Sequence, residues 1–417
     1  MQSNLKEKRA FFDYTLFFTM LILMGVSTVM VYSASVWNGG EYANTSFFIK
    51  QIRFDLMAIA TFMFCAFFNH QVYKHPVVRL TLYTIGFLLL AATLFAEPLN
   101  GARAWINLGF MLVQPAELCK FVFVVCLASY FDQLQQFNHN KNYQINGLIG
   151  FVHEALHSRV KPDNTSKFLL LKVSDWIMIP GLVLFVPFGA VIKTQPDVGA
   201  LFIFMSILVL MWFVAGLPRG YVALGLVLLP AAGIWFYSTF TENQLQRIRV
   251  IFNPFIDEEG KGYQLINSVI SIAHGGLTGV GLGNSYQKYG YLPEPETDYI
   301  MAIIAEELGY IGVMTVLALL FFMIFQGMKI ATQSVSLFST LLAFGITTII
   351  VIQTGINVGA MSGLFPGTGV TLPFISYGGS SLIMMSAMLG VLANISMQNK
   401  HRLAYHKEVR RAQSQAQ

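Results

Sequence analysis

Long apolar runs separated by short polar breaks dominate the chain. The runs lie near 14–34, 54–69, 80–96, 115–131, 174–192, 198–217, 221–240, 301–327, 336–357 and 378–396 and carry few or no charges. A helix rising 1.5 Å per residue needs about 17 or more such residues to cross roughly 30 Å of hydrocarbon. In lipid the backbone N–H and C=O groups must be paired within the protein, so the pattern predicts ten transmembrane helices. The period-2 alternation of a membrane barrel is absent.

Composition agrees with an all-α, polytopic integral membrane protein. Of 417 residues, 55% are hydrophobic and 11% charged, with a mean hydropathy of +0.59; a soluble domain carries about 25% charged residues. If the N-terminus is cytoplasmic, most of the 26 Lys and Arg fall on inner segments, among them Lys6, Lys74, Arg79, Lys161, Lys329, Arg402 and Arg411. The positive-inside bias therefore predicts that both termini are cytoplasmic. One membrane domain over 1–417 is expected, with a cytoplasmic loop at 132–173 and a basic cytoplasmic tail at 397–417. The outer loop at 241–300, between the seventh and eighth helices, is too long for a mere connector and is a functional candidate. The tail suggests weak attraction to anionic membrane lipid. Cys65, Cys119 and Cys126 fall in spans with no C-x-x-C spacing and read as small core residues. The charged N-terminus leads into a retained first helix. Nothing points to nucleic acid as a partner.

Three motifs carry less than they promise. His153-Glu154-Ala155-Leu156-His157 has zinc-protease spacing, but its apolar neighbours fit an interfacial amphipathic helix. Gly279, Gly281 and Gly283 lack the strand that a dinucleotide loop requires. Asn44-Thr45-Ser46 is a sequon in a predicted outer loop.

Ionisable residues at the ends of spans are costly and usually functional. Asn100–Ile106 contains Arg103 and Trp105. Gln114–Lys120 places Glu117 and Lys120 at i, i+3 on one helix face. Lys193–Asp197 separates the fifth and sixth helices. Gln287–Tyr299 holds Lys288, Glu294, Glu296 and Asp298 and runs on to Glu306 and Glu307. As structural features, Glu117 and Lys120 would be helix-packing glue, the three acids would favour a helix N-terminus, and Trp105 would sit in an aromatic belt. As a group they offer more. Carboxylates facing Arg103, Arg247, Arg249, Lys261 and Lys288 on one side of the membrane suit transfer from a diphosphate-linked donor. A carboxylate would take the proton of an attacking hydroxyl while cations hold the leaving phosphates.

At these residues the chain resembles the SEDS family (shape, elongation, division and sporulation). The matches are NGARAWINLG, QPAELCK, KTQPDVG, GVGLGNSYQKYGYLPEPETDYIMAIIAEELGYIG and GLFPGTGVTLPFISYGGSSL, spread over nearly all the spans. YQKYGYLPEPETD and GVTLP look more like the division branch than the elongation branch. The resemblance implies polymerisation of lipid II, the undecaprenyl-diphosphate-linked disaccharide pentapeptide, outside the bacterial cytoplasmic membrane at the septum. It implies Asp298 as general base in an inverting transfer and Trp105 as a residue shaping the site or stacking on sugar. It places Arg103, Glu117 and Lys120 in a central cavity and Lys288 near phosphate. It also implies a class B penicillin-binding protein as transpeptidase partner, alongside other division proteins. The family's usual histidine two residues before the aspartate is Glu296 here, which suggests a divalent cation, Mg²⁺ or Mn²⁺, at Asp298. Competing expectations are a lipid II flippase, the elongation-type polymerase and a non-catalytic scaffold.

Overall fold

The computed structural model describes residues 11–35, 44–99, 102–109, 111–139, 174–216, 242–257 and 260–415. Its helices are α1 Tyr14–Ala34, α2 Asn44–Phe67, α3 Pro76–Ala92, α4 Pro115–His139, α5 Ser174–Thr194, α6 Val198–Val214, α7 Glu242–Phe252, α8 Lys261–Gly275, α9 Ile300–Gln333, α10 Leu337–Met361 and α11 Gly379–Gln415. Strands β1 Ile106–Asn107 and β2 Leu112–Val113 form a short antiparallel hairpin. Among the described residues five helices are long and apolar enough to span a bilayer, and α6 is a shorter apolar helix. The expected span at 221–240 and the His153–His157 motif lie outside the described residues.

Local chemistry sets several boundaries. Asp13 caps α1 by accepting from the Leu16 amide at 3.5 Å, and Asp197 caps α6 through the Ala200 amide at 2.9 Å. Both satisfy N–H groups that a helix start leaves unpaired. Pro76 occupies the first turn of α3, where its missing N–H costs nothing. The core runs through α4 and α10, where Cys119, Phe123, Leu127, Leu341, Ile346 and Ile349 are fully buried. Phe123, Phe188 and Phe204 tie α4, α5 and α6 together, with ring centroids 5.4–6.4 Å apart.

Three boundaries differ from the sequence expectation. Helix α2 starts at Asn44, ten residues before the expected span at 54–69, so the sequon opens a helix and Lys50 and Arg53 join Asp55 within it. Helix α2 packs against α1 and α11, and Thr28 on α1 donates to Asp55 at 2.7 Å while Gln51 donates to it at 3.1 Å. Hydropathy alone does not register such paired polar groups. The expected tail is instead the continuation of α11 to Gln415. The long 241–300 connection holds α7 and α8.

Helix α9 breaks at Gly309, whose φ of 67° lies in the left-handed region. A Cβ there would stand 2.6 Å from the Leu277 carbonyl carbon. The neighbouring loop supplies partners at the break. Val280 and Gly281 donate to the Glu306 and Glu307 carbonyls at 2.9 and 3.0 Å, and Tyr310 donates to Gly276 at 2.9 Å.

Candidate functional site

Asp298 stands at the entrance to α9, one residue before Tyr299 caps the helix. The sequence Pro293-Glu294-Pro295 bends the chain sharply, with Glu294 at φ 51°, a conformation that costs a non-glycine residue about 1–3 kcal/mol. Asn357 of α10 is buried at 2% exposure. Its side-chain amide donates to the Asp298 carbonyl and to the Val370 carbonyl, each at 2.9 Å. The Tyr377 amide donates to the Glu296 carbonyl at 2.9 Å. The irregular segment between α10 and α11 is therefore pinned to the acidic turn by the Asn357 side chain and the Tyr377 amide. Arg247 of α7 donates to the Gly367 carbonyl at 2.8 Å, and Arg247, Lys261, Gln264, Tyr299 and Gly367 line one cleft.

The electrostatics follow from this enclosure. Burial, reinforced by the Glu294 charge, pushes the Asp298 carboxyl up to about 7, against the pull of Arg247 and Lys261. Burial also raises Glu296, with Glu294 adding to it. Lys261 is lowered, first by burial and then by Arg247, while Glu294 and Asp298 oppose the shift. An aspartate with this base strength beside two cations can accept a proton near neutral pH and hold an anionic leaving group nearby.

A second charged group lies across the 367–371 segment. Glu117 and Lys120 form an ion pair at 2.7 Å with side chains 6% and 2% exposed. Gln114 donates to Asp197 at 3.3 Å. Asp197 is raised by burial and by Glu117, opposed by the Ala200 amide, Lys120 and Gln114. A Cβ on Gly199 would meet Thr368 O at 3.0 Å, and one on Gly369 would meet Asp298 Oδ2 at 3.6 Å. The 368–370 backbone thus separates the two acidic groups.

The structure does not bring together every residue singled out in the sequence. Lys288 is withdrawn from Asp298: its ammonium contacts Glu307 at 2.9 Å, Ser33 at 3.0 Å and the Gly283 carbonyl at 2.6 Å, and the residue is 1% exposed. Glu306 accepts from Tyr286 N at 3.1 Å, from His274 Nδ1 at 2.9 Å and from the Ser285 hydroxyl. Glu306 and Glu307 therefore clasp the 283–288 loop to α9. Arg249 pairs with Glu242 at 2.7 Å on the surface. Arg103 is exposed and reaches the Leu94 carbonyl at 3.4 Å. Trp105 is half-buried just before β1. Of the five cations expected to face the acids, Arg247 and Lys261 do so.

Among the described residues no group of three or more His, Cys, Asp or Glu side chains is arranged to hold a metal ion. Glu294, Glu296 and Asp298 are not gathered into such a group. Asp197 was singled out in the Lys193–Asp197 group without a role, and Asn357 was missed. Asp197 stands directly before an apolar helix; Asn357 carries no local signal.

The chain matches the family model described as "Cell cycle protein" (FtsW, RodA, SpoVE) over residues 14–401. It is 35% identical to the probable peptidoglycan glycosyltransferase FtsW of Bacillus subtilis, covering 94% of this chain and 92% of the relative. It is 33% identical to stage V sporulation protein E of the same organism, covering 93% and 98%. Its fold matches a chain of a peptidoglycan synthase complex, solved in work on the coordination of polymerization and crosslinking. There the TM-score is 0.72 at 24% identity, over 93% of this chain and 98% of the other.

Proposed function

The chain belongs to the FtsW/RodA/SpoVE family of cell cycle proteins, and from that premise we propose that it is a peptidoglycan glycosyltransferase of the division machinery. It polymerises lipid II into glycan strands on the outer face of the bacterial cytoplasmic membrane. The observation that carries this reading is Asp298, whose enclosed carboxyl titrates at about 7 beside Arg247 and Lys261. The charge bias of the sequence supports placing this end outside the cytoplasm and both termini within it.

Asp298 takes the proton of the acceptor GlcNAc 4-hydroxyl. The oxygen attacks the anomeric carbon of MurNAc on the donor, the bond from that carbon to the diphosphate oxygen breaks, and configuration inverts from α to β. Undecaprenyl diphosphate leaves with its bonding electrons, and Arg247 and Lys261 offset the negative charge gathered on its phosphates. Glu294 keeps the base strength of Asp298 high. Asn357 holds its backbone in place. Glu117, Lys120 and Asp197 line the approach on the far side of the 367–371 segment. Lys288 acts by folding the loop rather than by touching phosphate. A class B penicillin-binding protein, docked through its single membrane helix, would cross-link the emerging strands at the septum.

Proteoliposomes containing fluorescent lipid II test the reading. Polymer that lysozyme digests is the expected product. Lipid II that crosses the bilayer without forming polymer, with the transpeptidase partner present, would replace the polymerase with a flippase.

A further inference from the structure

At the end of the bundle opposite Asp298, a cavity of about 520 Å³ opens where the turn His70–Lys74, the α9–α10 connection and α11 meet. That volume lies within the roughly 300–1,000 Å³ usual for ligand pockets. Its inner wall is buried and polar. His70 bridges Asn394 at 2.7 Å and Ser339 at 2.8 Å, and Asn399 donates to Ser334 at 3.1 Å. His401 and Arg402 of α11 stand exposed at its mouth, and no aspartate or glutamate is among its lining residues. Two acids near this end are already engaged, Asp13 with Lys400 at 3.0 Å and Asp132 with Lys74 at 2.5 Å. Arg402 has no ion pair among the described residues.

Depth and polarity point to the occupant. The membrane-spanning stretches of α3, α9, α10 and α11 end here, at Pro76, Gln333, Leu337 and Tyr405, which is the headgroup level of a bilayer. Val335 and Tyr405, 58% and 60% exposed, give the cavity an apolar rim. A soluble anion would gain nothing from that rim, whereas a lipid would rest its glycerol and first methylenes on it. Beyond the cavity α11 continues to Gln415, carrying Arg411 away from the lining residues.

We propose that this cavity seats the phosphodiester headgroup of an anionic phospholipid, with Arg402 and His401 at the phosphate and the acyl chains leaving past Val335 and Tyr405. This binding is independent of the glycosyltransferase reading. The test is native mass spectrometry of the full chain with phosphatidylglycerol, phosphatidylcholine and glycerol 3-phosphate. One phosphatidylglycerol should be retained in preference to phosphatidylcholine. Arg402→Gln should weaken its retention about five-fold or more, the ratio that one cation is worth at an anionic surface. Arg411→Gln, the same charge change outside the cavity, should retain it as wild type does. Val335→Trp should also release it by filling the mouth without altering charge, and this variant decides the matter if Arg402→Gln fails to fold. Equal losses from Arg402→Gln and Arg411→Gln, full retention by Val335→Trp, or equal retention of phosphatidylcholine would each overturn the proposal. Complete displacement by glycerol 3-phosphate would overturn it in favour of a soluble phosphate ligand.

Discussion

Replacing Asp298 with asparagine should stabilise the protein at alkaline pH while removing its function. In the folded chain the Asp298 carboxyl titrates at about 7, raised from an ordinary 3.8 by burial and by Glu294. Between those values the unfolded chain is ionised at this position while the folded chain holds a proton. Folded stability must therefore fall as pH rises through the window from 3.8 to about 7 and level off above it. Each unit of pKa difference corresponds to about 1.4 kcal/mol. From about pH 4.5 to pH 8 wild type should lose on the order of 3 kcal/mol at this residue, less whatever the half-buried side chain recovers from water. Asparagine does not titrate and escapes the loss. Thermal melting of both proteins in one detergent at the two pH values isolates the effect. The variant should gain roughly 2–3 °C on wild type on going to the higher pH. A gap that stays constant with pH, or a wild type that gains on the variant as pH rises, would show that Asp298 is not held as a raised acid.

Charge neighbours should tune the same group in opposite directions. Glu294→Gln removes a charge that raises Asp298, so the acidic limb of the rate–pH profile should move down by on the order of half a unit to one unit, whereas Lys261→Met should move it up; two shifts of the same sign would contradict this. Lys288→Met leaves the fully buried Glu307 without its cation, which should cost about 3–5 kcal/mol. The double variant Lys288→Met/Glu307→Leu should recover most of that loss in denaturant titrations. Gly309→Ala forces a Cβ against the Leu277 backbone at positive φ. It should lower the melting temperature by several degrees while leaving a surface change such as Phe325→Leu neutral by comparison.

How much of this was legible in the sequence differs from feature to feature. The long spans announce themselves because an uncharged run of bilayer length has no other stable environment. The start of α2 does not, because Lys50 and Arg53 break the apolar run, while Asp55 inside it is accommodated by Thr28 across the helix interface. Asp298 could be singled out from its acidic neighbourhood and from resemblance. The cations that serve it could not be separated by sequence distance. Lys288 is ten residues from Asp298 yet turns away into Glu307, while Arg247, more than fifty residues off, arrives beside it on α7. The loop between α10 and α11 is rich in glycine and proline, but its contact with Asp298 depends on one buried amide, Asn357. Side-chain partners across a fold are set by packing, and sequence spacing does not record them.

Strand synthesis from purified lipid II by wild type and by Asp298→Asn, each reconstituted with the proposed transpeptidase partner, decides whether Asp298 is the catalytic base. Melting curves establish that both are folded. Loss of a general base predicts a rate at least about 100-fold lower in the variant. Strand synthesis within about ten-fold of wild type, well short of what a general base contributes, would contradict the assignment of Asp298 as the catalytic base.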